Sequence, residues 1–319
     1  MLDVTVHDDR IHIGERFSVS FQRTLRIPDD GKIYPLPPGL GAFPIHSVAD
    51  YLDGVPQTWR QNTYFIPMYQ REALWLGFDG ATWKPNAVKI AIGKINAISG
   101  QVWDETLDAD PQNYIVCPNQ PWLDGINAGQ SFIRQFVAMP LGLGYTVEAQ
   151  VSGAEEFGGI QILVYEPKPG RFPDQPPPEN NLRFGGLPAS LSSNVEMGVG
   201  AGGKMMQKIY PDPYGLDTWD LENYGSIFVH IINSEQYREL TDIKPPPTPI
   251  TAQAYTQYGL PWFALYDEAQ GDVPASERLS KVKTIREEHL EQDVVENNNE
   301  ALDIAESQIE KLHHPPSDY

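Results

Sequence analysis

The chain has a single cysteine, Cys117, among 319 residues, so neither an intrachain disulfide nor a Cys-x-x-Cys metal knot can form. Basic residues are scarce. Against 43 Asp and Glu stand 23 Lys and Arg, which leaves a formal net charge of −20. A phosphate backbone or an anionic bilayer needs a basic footprint, and this balance disfavours both partners. Long apolar runs are missing too: stretches such as 160–165 and 227–232 extend for about six residues, where a membrane helix needs ~20. The opening Met1-Leu2-Asp3-Val4-Thr5-Val6-His7-Asp8-Asp9-Arg10 carries acids where a secretory signal has a cationic and then an apolar run. Together these shortages predict a soluble cytoplasmic protein with no membrane span.

Catalytic signatures are absent from the pattern as well. There is no Gly-x-Ser-x-Gly elbow, and none of the seven histidines falls in His-Glu-x-x-His. Cys117 has no signalled histidine partner. Gly198-Val199-Gly200-Ala201-Gly202-Gly203 matches Gly-x-Gly-x-x-Gly, and Lys204 brings it close to a phosphate loop. Either reading needs a helix after the glycines to point its amides at phosphate. Pro211 and Pro213 cut that helix short and Met205 stands where Ser or Thr would reach magnesium, so a glycine-rich turn with close backbone packing is expected. No catalytic residue, metal site or cofactor is assigned.

What the chain does have is proline and glycine, 29 and 27 respectively, well above the ~12% they usually make up together. That load excludes a helical bundle and favours many short strands joined by turns. Phe17, Val19, Phe21, Leu25 and Ile27 alternate with mostly polar neighbours, which predicts a long strand with one wet face. Val88, Ile90 and Ile92 mark another, with Lys89 opposite. Tyr145, Val147, Ala149 and Val151 alternate ahead of 160–165, so 145–165 reads as a hairpin. Residues 227–232 are apolar on both faces and read as a central strand. The fold class is mainly β: an antiparallel β-sandwich or barrel-like body, in one unit or two β sub-domains, with a C-terminal α-helical segment.

The expected organisation is a sandwich-like domain over 1–166, a Pro-rich connection over 167–186, a second β-rich unit over 187–272 and a helical segment over 273–319. Ser276 after Pro274 is a natural N-cap. Val295, Asn298, Leu302, Ala305, Ile309 and Leu312 then recur at heptad spacing. They predict an amphipathic helix that packs on its own sheet or reaches a neighbouring subunit. Asn297-Asn298-Asn299 could equally break the segment into two helices.

Three residues are candidates for ligand binding. Arg134 lies among Phe132, Ile133, Phe136 and Val137, where a charge must be paired, and Glu148 on the next expected strand is the candidate partner. Trp122, in the turn-rich Pro118–Gly125 loop, can stack on a sugar, cap an interface or anchor the loop in the core.

Several stretches look familiar as a set: Arg26-Ile27-Pro28-Asp29-Asp30-Gly31, Trp122-Leu123-Asp124-Gly125, Ile133 through Glu148, Asp212 through Asp217, and Gly259-Leu260-Pro261-Trp262-Phe263. Over roughly residues 1–270 the chain resembles an uncharacterised family of bacterial proteins of unassigned function. The resemblance implies a shared fold and supplies no catalytic residue. The leading expectation is therefore a non-enzymatic protein that self-associates as an oligomer or assembly subunit. The alternatives are a carbohydrate-binding module using Trp122, and an unrecognised hydrolase drawing on acids such as Glu148 and Glu196.

Overall fold

A computed structural model describes residues 1–175, 197–265, 271–292 and 301–312. Val295, Asn298 and Glu196 lie outside the described residues. The chain is mainly β. Its first strands are β1 (Val4–His7), β2 (Arg10–Ile13), β3 (Phe17–Thr24), β4 (Ile33–Tyr34), β5 (Gly39–Ala42) and β6 (His46–Ser47). After these come β7 (Tyr64–Met68), β8 (Ala73–Asp79), β9 (Asn86–Ile92), β10 (Ile95–Asn96), β11 (Ile115–Cys117) and β12 (Trp122–Leu123). The remaining strands are β13 (Gly125–Gly129), β14 (Phe132–Pro140), β15 (Ile160–Pro167), β16 (Met197–Met206), β17 (Trp219–Asn233), β18 (Trp262–Leu265) and β19 (Ile309–Leu312). The helices are short: α1 (Val147–Ser152), α2 (Ser234–Thr241), α3 (Ala252–Gln257), α4 (Glu277–Ser280) and α5 (Ile285–Glu291).

Two layers form the body. One runs β2–β3–β8–β14–β16, antiparallel throughout. The other runs β9–β15–β17–β7, in which only the last pair is parallel. Met197 opposite Ile231 ties β16 to β17 and so joins the layers. Phe17, Val19 and Phe21 of the first layer and Ile90, Ile162 and Val229 of the second belong to one buried core, the arrangement of a β-sandwich. That core extends from Ile11 to Val282 and draws on both sides of the 167–186 connection. As its two apolar faces require, 227–232 is central, with β15 on one side and β7 on the other.

Three local expectations need correction. The outer face of β3 is not wet: Ser18, Ser20 and Thr24 are buried, their hydroxyls bonded to Arg10 Nε and to the Gly77 and Pro38 carbonyls, and on the apolar face Arg23 is buried as well. Arg23 donates from Nε and Nη2 to Glu72 Oε1 at 2.9 and 2.6 Å, and from Nη2 to the Pro247 carbonyl at 2.5 Å. The expected strand over 145–151 is the helix α1. Thr146 caps it, Oγ1 accepting from the Ala149 N–H at 3.1 Å, and Gly153 ends it at φ 81°. A cap and a glycine stop seven residues apart outweigh a short alternation. The Gly198–Gly203 run is a strand rather than a turn, although the close packing is real. A Cβ on Gly203 would lie 2.2 Å from the Pro28 carbonyl oxygen, and one on Gly202 would lie 2.7 Å from Val137 Cγ2.

The C-terminal helical segment is two short helices. Ser276 caps α4 by accepting from Leu279 N–H, and Thr284 caps α5 in a capping box with Glu287. Beyond them the four described heptad-spaced positions are not helical. Leu302 and Ala305 precede a single 3₁₀ turn over 306–308, and Ile309 and Leu312 lie in β19. That strand runs parallel to β18, with Ile309 opposite Trp262 and Leu312 opposite Leu265. Leu302, Ile309 and Leu312 pack with Leu36, Tyr255 and Trp262 of their own chain. Pairing with β18 satisfies the backbone groups of β19 while Ile309 and Leu312 pack against their own chain.

Candidate functional site

A groove forms where β12 meets β8. Their register sets Trp122 opposite Gly77 and Leu123 opposite Leu76. Side chains two apart along a strand share a face, so Trp75 and Gly77 of β8 lie on the same side as Trp122. Glycine leaves the room that the Trp75 indole fills: a Cβ at Gly77 would come within 3.0 Å of Trp75 Cζ3. From the other flank, the Pro37-Pro38-Gly39 turn lies over the same ring, with the Gly39 Cβ position 3.5 Å from Trp75 Cζ2. Phe263 is tied to Leu36 by a pair of backbone hydrogen bonds of 2.7 and 2.9 Å, and Leu312 of β19 closes the rim. The groove is open to solvent and measures about 240 Å³.

Asp124 is the one ionisable residue lining it among the described residues. It is 5% exposed, and its Oδ2 has no hydrogen-bond partner. Burial pushes its carboxyl up to about 7, and the hydrogen-bonding side chains of Trp122 and Gln207 offset only part of that rise. The backbone around it is fully engaged. Asp124 N–H donates to Gln207 Oε1 at 2.9 Å, and its carbonyl accepts from Phe136 N–H at 3.0 Å. Gln207 Nε2 and Gln120 Nε2 both donate to the Trp122 carbonyl. The result is a rigid mount that presents one desolvated acid beside two half-buried indoles.

Arg134 and Glu148, the expected pair, do not meet. The Arg134 guanidinium turns to the C-terminal segment, donating to the Val282 carbonyl and standing 3.6 Å from Glu287 Oε2. Glu148 is buried on α1. Its Oε1 accepts from the N–H groups of Glu156 and Phe157 at 2.9 Å each, and its Oε2 from Gly158 at 2.8 Å. It fastens the 153–159 loop and takes no part in the groove. Helix α1, standing where a strand was expected, aims Glu148 away from β14. Of the three ligand candidates only Trp122 reaches the groove. Trp75 and Asp124 were not singled out from sequence, yet the Trp-x-Asp spacing in an extended segment already put Trp122 and Asp124 on one face.

Other chemistry-bearing side chains are occupied. Cys117 is buried and its thiol donates to the Gln120 carbonyl at 3.3 Å. His230 stacks on Trp59 at 4.0 Å between centroids, its Nε2 lies 3.2 Å from Thr63 Oγ1, and burial pulls its pKa down to about 3. Among the described residues no three His, Cys, Asp or Glu are grouped to hold a metal. A larger cavity of about 730 Å³ lies between 50–59 and α2, but its acids Asp50, Asp53 and Glu239 are exposed and keep their hydration. In comparisons with protein-family models, curated proteins and solved structures, the chain finds no match.

Proposed function

We propose that the chain is a non-enzymatic ligand-binding β-sandwich protein, and that the Trp75–Trp122–Asp124 groove accepts one small organic ligand. The observation that carries this is the lining itself, one buried carboxylate, Asp124, set among the aromatic side chains of Trp75, Trp122 and Phe263. The indoles add large, rigid stacking faces. The fold has no evident catalytic or metal-binding machinery among the described residues, and a single acid without a second carboxylate or a nucleophile beside it suits recognition better than hydrolysis. A sugar ring can stack on Trp122. Several of its hydroxyls, however, would face Pro37, Pro38 and Leu312 and go unpaired, so the expected carbohydrate is not the preferred occupant. The test is intrinsic tryptophan fluorescence titrated with methyl β-glucoside, choline chloride and 3,3-dimethyl-1-butanol. Saturable quenching by one of them in the native protein, lost in Trp122→Ala, supports the reading. Identical, linear responses from both proteins to all three overturn it.

A second reading keeps the chain a cytoplasmic, self-associating subunit. It is favoured by β1, which among the described residues pairs only with β2 and leaves its outer edge free to receive a strand. Exposed Tyr258 and Leu260 add apolar surface. Leu302, Ile309 and Leu312, being engaged in cis, are not the contact in this reading. Light scattering decides it: a monomeric mass at high concentration removes self-association. No helix among the described residues is long and apolar enough to cross a membrane. We also propose that the fold is that of the bacterial family which residues 1–270 resemble.

A further inference from the structure

We infer that the ligand of the Trp75–Trp122–Asp124 groove carries a methylated ammonium group, which sits against the indole and phenyl faces with Asp124 as its counter-ion. The inference rests on the groove being a binding site and specifies what binds there. The first argument is charge. Among the described residues neither a lysine nor an arginine lines the cavity, and the groups acting on the Asp124 carboxyl are the Trp122 and Gln207 side chains. The wall contributed by β8, the 36–39 segment, β18 and β19 consists, among the described residues, of Trp75, Leu36, Pro37, Pro38, Gly39, Phe263 and Leu312, none of them charged. An anionic ligand would meet an acid without relief. A neutral ligand could satisfy a lone pair but would leave an ionised carboxylate buried without a counter-charge, a costly state. A cation removes that cost.

The second argument concerns the wall. Trp75, Trp122 and Phe263 supply three aromatic rings, and a cation over such a face is attracted by the ring quadrupole, most strongly at tryptophan. A primary ammonium keeps three N–H donors that each require an acceptor, and Asp124 alone cannot serve them. Methylation removes those donors, weakens hydration and presents methyl groups to Pro37, Pro38 and Leu312. The cavity of about 240 Å³ suits a trimethylammonium head with a short chain and is too small for a drug-sized molecule. The net charge of −20 favours capture of a cation from solution.

The test compares choline chloride with 3,3-dimethyl-1-butanol, which has the same shape with carbon in place of the charged nitrogen, by isothermal titration at constant ionic strength. Choline is expected to bind about tenfold or more tighter than the alcohol. Because only ionised Asp124 is a counter-ion, choline affinity falls about tenfold from pH 8 to pH 6 while that of the alcohol stays constant. Asp124→Asn weakens choline about tenfold or more and leaves the alcohol unchanged. The wild-type pH comparison stands even where the variant fails to fold. Trimethyl-lysine amide, run beside choline, tells a methylated peptide from a free headgroup; tight binding by either supports the ammonium assignment. Equal affinity for choline and the alcohol, or choline binding that ignores pH, overturns it while leaving the groove a binding site. Silence from every probe in both the native protein and Trp122→Ala overturns the groove reading as well.

Discussion

Trp122 stands directly across from Gly77 in the β12–β8 register, and the Trp75 indole occupies the space that Gly77 leaves open. The glycine is therefore part of the groove. In Gly77→Ala the new methyl would meet Ser20 Oγ at 2.9 Å and Trp75 Cζ3 at 3.0 Å, so the ring has to move. The variant is expected to lose about 1–3 kcal/mol and to show an altered near-ultraviolet dichroism in the tryptophan bands. Unchanged bands and an unchanged melting temperature would contradict the contact.

Asp124 sets a pH dependence with a definite sign. Its folded pKa of about 7 lies above the ordinary carboxylate value of 3.8, so the folded state holds the proton more tightly than the unfolded chain. The penalty is absent below about pH 4, grows as pH rises toward 7 and is complete above that. Asp124→Asn removes it. In urea melts the variant is expected to gain on the wild type as pH rises from 4 to 8, by at most about 4 kcal/mol. A difference that is flat across this range would contradict the buried acid.

Arg134 and Glu148 hold different segments, one 282–287 and the other 156–158. Glu148→Ala is expected to cost about 1–3 kcal/mol because three backbone N–H groups lose their acceptor. Combined with Arg134→Ala, the costs should add to within about 0.5 kcal/mol. A larger coupling energy in the double-mutant cycle would restore the direct pair that the sequence pattern suggested.

The Arg23–Glu72 pair is buried on both sides, and Glu72 Oε2 also accepts from Tyr69 N–H at 3.0 Å. Burial pushes the Glu72 carboxyl up, and Arg23 pulls it down. Removing either partner leaves the other charge stranded. Glu72→Ala is expected to cost about 3–5 kcal/mol, and replacing both residues with apolar side chains about as little as zero. Chemical denaturation of the two variants checks the asymmetry.

The sandwich was legible because period-two alternation and turn residues act locally. The 227–232 run declared a central strand by being apolar on both faces, and Ser276 declared a helix start. Where the reading failed, distant residues decide the outcome. Ser20 looks solvent-facing until β8 brings the Gly77 carbonyl beside it, and Arg23 is a stray charge among apolar neighbours until Glu72 and Pro247 meet it. Residues 301–312 carry heptad spacing, but β18 offers Ile309 and Leu312 a strand partner that no local window reveals. The groove follows the same rule. Trp122 stood out by its size, whereas Asp124 is made unusual only by Gln207, the Pro37-Pro38 turn and Leu312, which lie from 83 to 188 positions away in the sequence.

The groove itself is tested most directly by the indole N–H resonances of the seven tryptophans in ¹⁵N-labelled protein during a titration with choline chloride. The signals of Trp75 and Trp122 are expected to move together and saturate, while those of Trp59, Trp219 and Trp262 stay in place. No movement at Trp75 and Trp122 at saturating concentration, or equal movement at all seven, would contradict the account.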